Sequence, residues 1–362
     1  MNSQKEFKWK VCVRCVTYNH AKYIVDALNG FCMQETDFPF VCVVIDDAST
    51  DGEPEVIERY LEDNFELKDQ SISRKEETEA YYLTFAQHKI NKNCFFQVYF
   101  LKYNHHQIKK SKAPYYLEVV ENANYLAFCE GDDYWINPKK LQMQVDFFAN
   151  QLNVGIVYTA YRFYNCTNNQ SRDVFTDSSI KNDESFKWRL LERKVSIGTC
   201  TTMIKTSLYK KIRLLSDDYK GFSMGDTQTW FNASRLSQVG YINEVTSLYR
   251  KHLLGATSSF LLPGRIQFIQ NSLKLHMHLA SKYGAPIETI KEIKRRFGFY
   301  LLNLNIKNGD YKTAQRINNE LFDRSKYIHF ILFLCNLFKI KNIKGFVTFL
   351  RFSSNLGLIN FK

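Results

Sequence analysis

A chain of 362 residues, 45% hydrophobic and 24% charged, carries enough apolar material for a full core plus a second, smaller unit, which excludes a disordered tail or a small stapled scaffold. Its net charge of +12 points to an anionic partner without choosing among nucleic acid, a phosphorylated metabolite and an anionic membrane. Nine cysteines, an odd number without zinc-ribbon spacing, read as reduced and mostly buried thiols, and Cys12 and Cys15 would face opposite sides of a strand. The polar opening "MNSQKEFKWK" has no apolar h-region, so no secretory signal and a cytoplasmic location are expected.

In chain order, "KVCVRCVTYNH" predicts a strand ending in a polar loop, and Ile24, Leu28 and Phe31 have the spacing of a buried helical stripe. "FPFVCVVIDDAST" is a second apolar strand, ended by Asp46 and Asp47. Thr50 with Glu53 three residues on, and Pro54 after them, announce the helix "PEVIERYLEDNF" as a capping box. Strand, helix, strand, helix with continuous apolar strands argues a parallel α/β sheet. Between residues 63 and 112, "QVYFLKYN" is a candidate strand and "SRKEETEA" a solvated excursion. "NANYLAFCEGDDYWINPKKLQMQVDFF" is again strand, acidic loop and helix, with Asn137 as cap and Leu141, Val145 and Phe148 as the buried stripe. "VGIVYTAYRFY" adds a strand, and "MGDTQTWFNASRL" a helix opening on Asp226. From Pro263 the chain is helical, basic and aromatic, which places a boundary near 262.

Acids thus recur at strand ends or a helix start: Asp46 with Asp47, Glu130 with Asp132 and Asp133, and Asp226. Ligands of open parallel sheets bind outside the carboxyl ends of the strands, so these acids can converge on one crevice. Clustered carboxylates repel one another unless a cation, a proton or a ligand donor offsets them. A hard divalent ion, Mg²⁺ or Mn²⁺, suits carboxylate oxygens and leaves positions for phosphate. For any single pair, a solvated acidic turn that caps the next helix is the competing reading.

The order of "VTYNHAKYI", "VVIDDASTDG", "YLAFCEGDDYWINPKKLQMQVDFF", "IGTCTTMI", "GDTQTWF" and "EVTSLYRKH" over about residues 9 to 257 resembles the inverting family 2 glycosyltransferases, as in bacterial surface-polysaccharide biosynthesis. The resemblance implies a GT-A fold, α/β with a mixed, mostly parallel sheet flanked by helices, plus a C-terminal helical region. It implies that Asp47, with Asp46 beside it, meets the base of a UDP-sugar, N3–H of uracil being the contact of Asp47. Thr17, Tyr18 and Asn19 would border the nucleotide, Asp132 with Asp133 would serve a metal-bound diphosphate, and Asp226 would be the general base. His252 of "YRKH" falls near the donor phosphates as a metal ligand or diphosphate contact. Glu130 stands where the D-x-D signature has its first Asp, as a further candidate ligand, and Gly225 replaces an acid before Asp226. The Q-x-x-R-W signature of processive synthases is absent, which favours transfer of one sugar per encounter. Trp135 reads as core more than as a sugar platform, and Trp230 stays open between the two.

The expected organisation is a catalytic domain over 1–262, its nucleotide-sugar half at about 9–150 and acceptor half at about 151–262, followed by a helical region over 263–362. After Asp323 no acid follows, while lysines and seven phenylalanines alternate. "YIHFILFLCNLF" is too short to span a bilayer, where about 20 apolar residues are needed. It reads as an interfacial segment on an anionic membrane, the alternative being a helical subdomain with its lysines in water. The expected partners are a nucleotide sugar and a glycan or polyprenyl-phosphate-linked acceptor on the inner face of the cell membrane. Two alternatives stand beside this: a nucleotidyltransferase, and a non-catalytic protein binding a nucleotide sugar or nucleic acid. The first lacks a Gly-rich phosphate loop near residue 17, and against nucleic acid the basic residues are spread and no binding motif appears.

Overall fold

The computed structural model describes residues 8–177, 183–215, 221–222, 224–253, 262–321, 332–336 and 341. Its elements in the first part are β1 (Trp9–Thr17), α1 (Ile24–Cys32), β2 (Phe40–Asp46), α2 (Glu53–Asn64), β3 (Ser73–Glu77), β4 (Tyr81–Gln87), β5 (Cys94–Leu101), α3 (Ala113–Glu121), β6 (Ala123–Phe128), β7 (Tyr134–Trp135) and α4 (Lys140–Asn150). There follow β8 (Val154–Asn165), β9 (Gln170–Val174), α5 (Phe186–Leu191), β10 (Met203–Lys205), α6 (Thr206–Arg213), α7 (Gly225–Leu236) and β11 (Gln238–Lys251). The last three elements are the helices α8 (Leu262–Lys282), α9 (Ile287–Lys307) and α10 (Tyr311–Leu321).

The strands form one sheet in the order β3-β4-β5-β2-β1-β6-β10-β8-β11-β7, with β9 paired to β8. β5, β2, β1 and β6 run parallel, as their unbroken apolar runs require: every residue of β2 is buried. β10 is antiparallel to both β6 and β8, which makes the sheet mixed and mostly parallel, in the GT-A manner. Ile24, Leu28 and Phe31 of α1 and Leu141, Val145 and Phe148 of α4 are buried, as their spacing predicts. Trp135 is 1% exposed, donates to the Cys200 carbonyl at 2.8 Å and lies against Phe31, so it is core. Trp230 is also buried, edge-on to Phe128. All nine cysteines are free thiols.

Two local expectations fail. "SRKEE" is strand β3, paired antiparallel with β4, and its charged side chains stay exposed because it is the outermost strand. The capping box does not form: Gly52, at φ 88°, turns the chain into α2, Thr50 gives its N–H to Asn19 Oδ1 at 2.8 Å, and Glu53 is drawn into a different set of bonds. Asn137 accepts from the Lys139 N–H at 2.8 Å in the turn before α4.

The chain divides into two compact units: residues 1–187, 196–220 and 226–255, and residues 188–195, 221–225 and 256–362. The sequence boundary near 262 thus lies beside a division at 255/256, and the second unit also takes in two short earlier segments. Within that unit Glu192 accepts from Thr289 Oγ1 at 2.8 Å, and the Leu191 carbonyl meets His276 Nδ1 at 2.8 Å, which is why residues 188–195 join the helices. Most of the basic, aromatic segment after Asp323, on which the membrane expectation rests, lies outside the described residues. No helix among the described residues is long and apolar enough to cross a membrane.

One core residue is a lysine. Lys140 is fully buried, donates to Gln144 Oε1 at 2.6 Å and lies 4.5 Å from the Trp135 ring centre. Burial pushes its amine down from 10.5 to about 7. Between those values the unfolded chain holds a proton that the folded chain has released, so stability from this group rises as pH climbs from 7 towards 10.5. Urea unfolding at pH 7 and pH 9 should show this rise, up to about 2 kcal/mol, and Lys140→Met should abolish it.

Candidate active site

The candidate site forms where β1, β2 and β6 end side by side. The chain leaving β6 keeps following β1: the Cys129 N–H bonds the Arg14 carbonyl and the Gly131 N–H the Val16 carbonyl, each at 3.1 Å. A Cβ on Gly131 would lie 2.1 Å from Thr17 Oγ1, so only glycine lets the acidic loop approach the end of β1 this closely.

Glu53, fully buried, ties the first two loops together. It accepts from the Thr17 hydroxyl, from the His20 N–H at 2.8 Å and from Ser49 Oγ at 2.9 Å. Burial still pushes its carboxyl up to about 7. Asn19, in the left-handed region at φ 57°, takes the N–H of Thr50 and gives its own to Ser49 Oγ at 2.9 Å. Tyr18 is exposed beside them.

At the end of β2 the two aspartates differ. Asp46 accepts from the Ser49 N–H at 3.2 Å, while its Oδ1 is buried with no hydrogen-bond partner among the described residues. Burial raises its carboxyl to about 6. Asp47 accepts from the N–H groups of His105 at 2.7 Å and His106 at 3.2 Å, and pairs with Lys112 at 2.8 Å. It therefore anchors the loop between β5 and α3. A carboxylate has about four lone-pair sites, which leaves one for a ligand donor.

The acidic loop separates its three carboxylates. Glu130 pairs with Arg14 at 2.9 Å and accepts from the Val16 N–H at 3.2 Å, which commits it to β1. Asp133, buried, accepts from the Arg250 N–H at 2.8 Å; burial and the neighbouring Asp132 push its pKa well above the carboxylate range. Asp132 faces two imidazoles, His252 Nε2 at 3.0 Å and His20 Nε2 at 3.8 Å. Burial works against its charge, yet the His252 hydrogen bond holds its pKa below the ordinary value. Ligand atoms of His20, Asp132 and His252 all lie within 4.8 Å of one another. Imidazole nitrogens with a carboxylate oxygen form a donor set that fits a divalent ion such as Mn²⁺, and Glu130 is outside it.

β11 delivers the far wall. Arg250 donates to the Asp132 carbonyl at 3.0 Å and to Asp26, and its guanidinium lies between Tyr134, at 4.4 Å, and Tyr23, at 5.1 Å. The His252 ring packs on Tyr23 at 4.7 Å, with Nδ1 buried and without a partner among the described residues. Asp226, exposed in the first turn of α7, accepts from the Thr227 N–H at 2.8 Å. The sequence gives His20, Lys112 and Arg250 no role, and Glu53 only that of a helix cap. The His in "TYNH" was on view there, but Arg250 meets the acidic loop across more than 110 residues, a pairing no local pattern records.

The family model for glycosyl transferase family 2 matches residues 12–81. Uncharacterized proteins of Mycobacterium tuberculosis (strain ATCC 25618 / H37Rv) and Mycobacterium bovis are each 31% identical over 134 residues, 36% of this chain and 29% of theirs, so the match spans under a third of these relatives. Among solved structures, Staphylococcus aureus TarS 1–349 with UDP-GlcNAc is similar at a TM-score of 0.48 and 18% identity, over 82% of this chain and 72% of that one. The mannosyltransferase PcManGT of Pyrobaculum calidifontis, with GDP-Man and Mn²⁺, has a TM-score of 0.46 and 15% identity, over 92% and 88%. The resemblance to glycosyl transferase family 2 thus falls on residues 12–81, the stretch that runs from β1 to the start of β4.

Proposed function

We propose that the chain transfers one sugar from a nucleotide diphosphate donor, a UDP-sugar, to an acceptor hydroxyl with inversion at C1. The observation that carries this reading is that β2, β1 and β6 are parallel neighbours whose ends bear Asp46 and Asp47 on one side and the loop of Asp132 on the other, with His252 from the end of β11 meeting Asp132. Asp47, with one lone-pair position left, would accept the N3–H of uracil, and Thr17, Tyr18 and Asn19 border the nucleotide. Asp132 and His252 would hold the divalent ion, Mn²⁺ or Mg²⁺, with Asp133 behind them fixing the loop through Arg250. The ion supplies Lewis-acid stabilisation of the departing diphosphate.

Asp226 serves as general base. Its exposed carboxylate takes the proton of the acceptor hydroxyl as that oxygen bonds to C1, while the C1–O bond to the diphosphate breaks and the leaving oxygen keeps the electron pair. A single displacement inverts C1. An exposed base also suits a bulky acceptor such as a lipid-linked glycan of a surface polysaccharide. The basic segment after Asp323 supports meeting that acceptor at an anionic membrane surface on the cytoplasmic side.

Two substitutions separate the roles. Asp132→Asn should remove the Mn²⁺ dependence of UDP binding measured by calorimetry, and unchanged dependence would discard the assignment of the ion to Asp132. Asp226→Asn should leave UDP-sugar binding intact while slowing transfer by about 10²–10⁴-fold, and undiminished turnover would discard the base.

A further inference from the structure

We propose that His20 is a third protein ligand of the divalent ion, so that two imidazoles and one carboxylate hold it, and that Glu53 acting through Thr17 presents His20 for that task. The inference rests on the donor-site reading above.

The hydrogen-bond directions carry the argument. Thr17 Oγ1 has one proton and donates it to the buried Glu53 carboxylate. Towards His20 Nδ1, 3.1 Å away, the same oxygen can then only accept, so Nδ1 carries the ring proton. In the neutral ring that leaves Nε2 with a lone pair, facing Asp132 Oδ2 at 3.8 Å. Two acceptors at that separation make no hydrogen bond and repel, unless a cation lies between them. His252 Nε2 reaches the same oxygen at 3.0 Å, and the two rings stand edge to face at 5.7 Å. The mutual spacing within 4.8 Å is close to that of donors on one ion, about 3 to 4.4 Å for bonds of about 2.1–2.2 Å.

The loop is also held in place in advance. Glu53 Oε2 accepts the His20 N–H at 2.8 Å, and Asp51 accepts that of Ala21 at 2.9 Å. A carboxylate, a hydroxyl and an imidazole in series are the outer support that orients a metal-ligating histidine and strengthens it as a donor. Two nitrogens against one carboxylate oxygen favour Mn²⁺ or Co²⁺ over Mg²⁺.

The test uses the full chain with UDP and needs no turnover. Pulsed EPR of the Mn²⁺-loaded wild type should count two bound imidazole nitrogens, and a count of one overturns the proposal whatever any variant does. His20→Asn should weaken Mn²⁺ binding by at least about tenfold, narrow the preference for Mn²⁺ over Mg²⁺ and reduce the nitrogen count to one. Thr17→Val should weaken Mn²⁺ binding while keeping both nitrogens. Metal-free melting curves separate these effects from unfolding. If UDP binding by the wild type needs Mn²⁺ but His20→Asn binds Mn²⁺ as the wild type does, the proposal fails alone. If the wild type binds neither Mn²⁺ nor UDP, the donor-site reading fails with it.

Discussion

A buried carboxylate at the start of α2 holds the candidate site together. Glu53 accepts from a side chain of β1, from the backbone of the following loop and from a serine of the second loop, so both loops share one anchor. Burying a charge is costly unless its lone pairs are met, and here three donors meet them. The arrangement depends in turn on Gly52, whose left-handed backbone delays the helix start and frees Glu53 from capping. Gly131 then brings the acidic loop against the same threonine that Glu53 holds.

The carboxylates of the site divide by what faces them. Glu130 has a guanidinium, Asp133 a backbone N–H, Asp47 two N–H groups and an ammonium, and Asp132 two imidazoles. Only the last pair of partners consists of good metal ligands, so the positions of an acidic run such as "EGDD" are not interchangeable. Three of these four acids are structural supports in the folded chain as much as potential ligand contacts, and of the four Asp132 is the one that two imidazoles face.

Much of this was legible in the sequence where the signal is local. Continuous apolar runs mark β1, β2 and β6, the spacing of Leu141, Val145 and Phe148 marks α4, and acids at strand ends mark the crevice. What stayed hidden depends on pairing across distance or on a pattern with two meanings. Thr50 and Glu53 have capping-box spacing, but the backbone at Gly52 decides otherwise. β3 lacks apolar alternation because it is an edge, and β7 has only two residues. Lys140 and Gln144 look like solvent-facing positions of α4, yet they satisfy each other inside the core. Glu130 fills a signature position, and only the fold shows Arg14 waiting for it.

The pairing of β11 with β8 is interrupted between Ile242 and Val245 and again between Val245 and Ser247, after which Ser247 to Lys251 run in step with Tyr161 to Asn165. The strand therefore has two longer stretches in step with β8, Val239–Ile242 soon after α7 and Ser247–Lys251 leading to His252. Such bulges absorb a change in length locally. A change in length between Ile242 and Ser247 is thereby taken up before the stretch that meets the acidic loop, so Arg250 and His252 keep their alignment with β8.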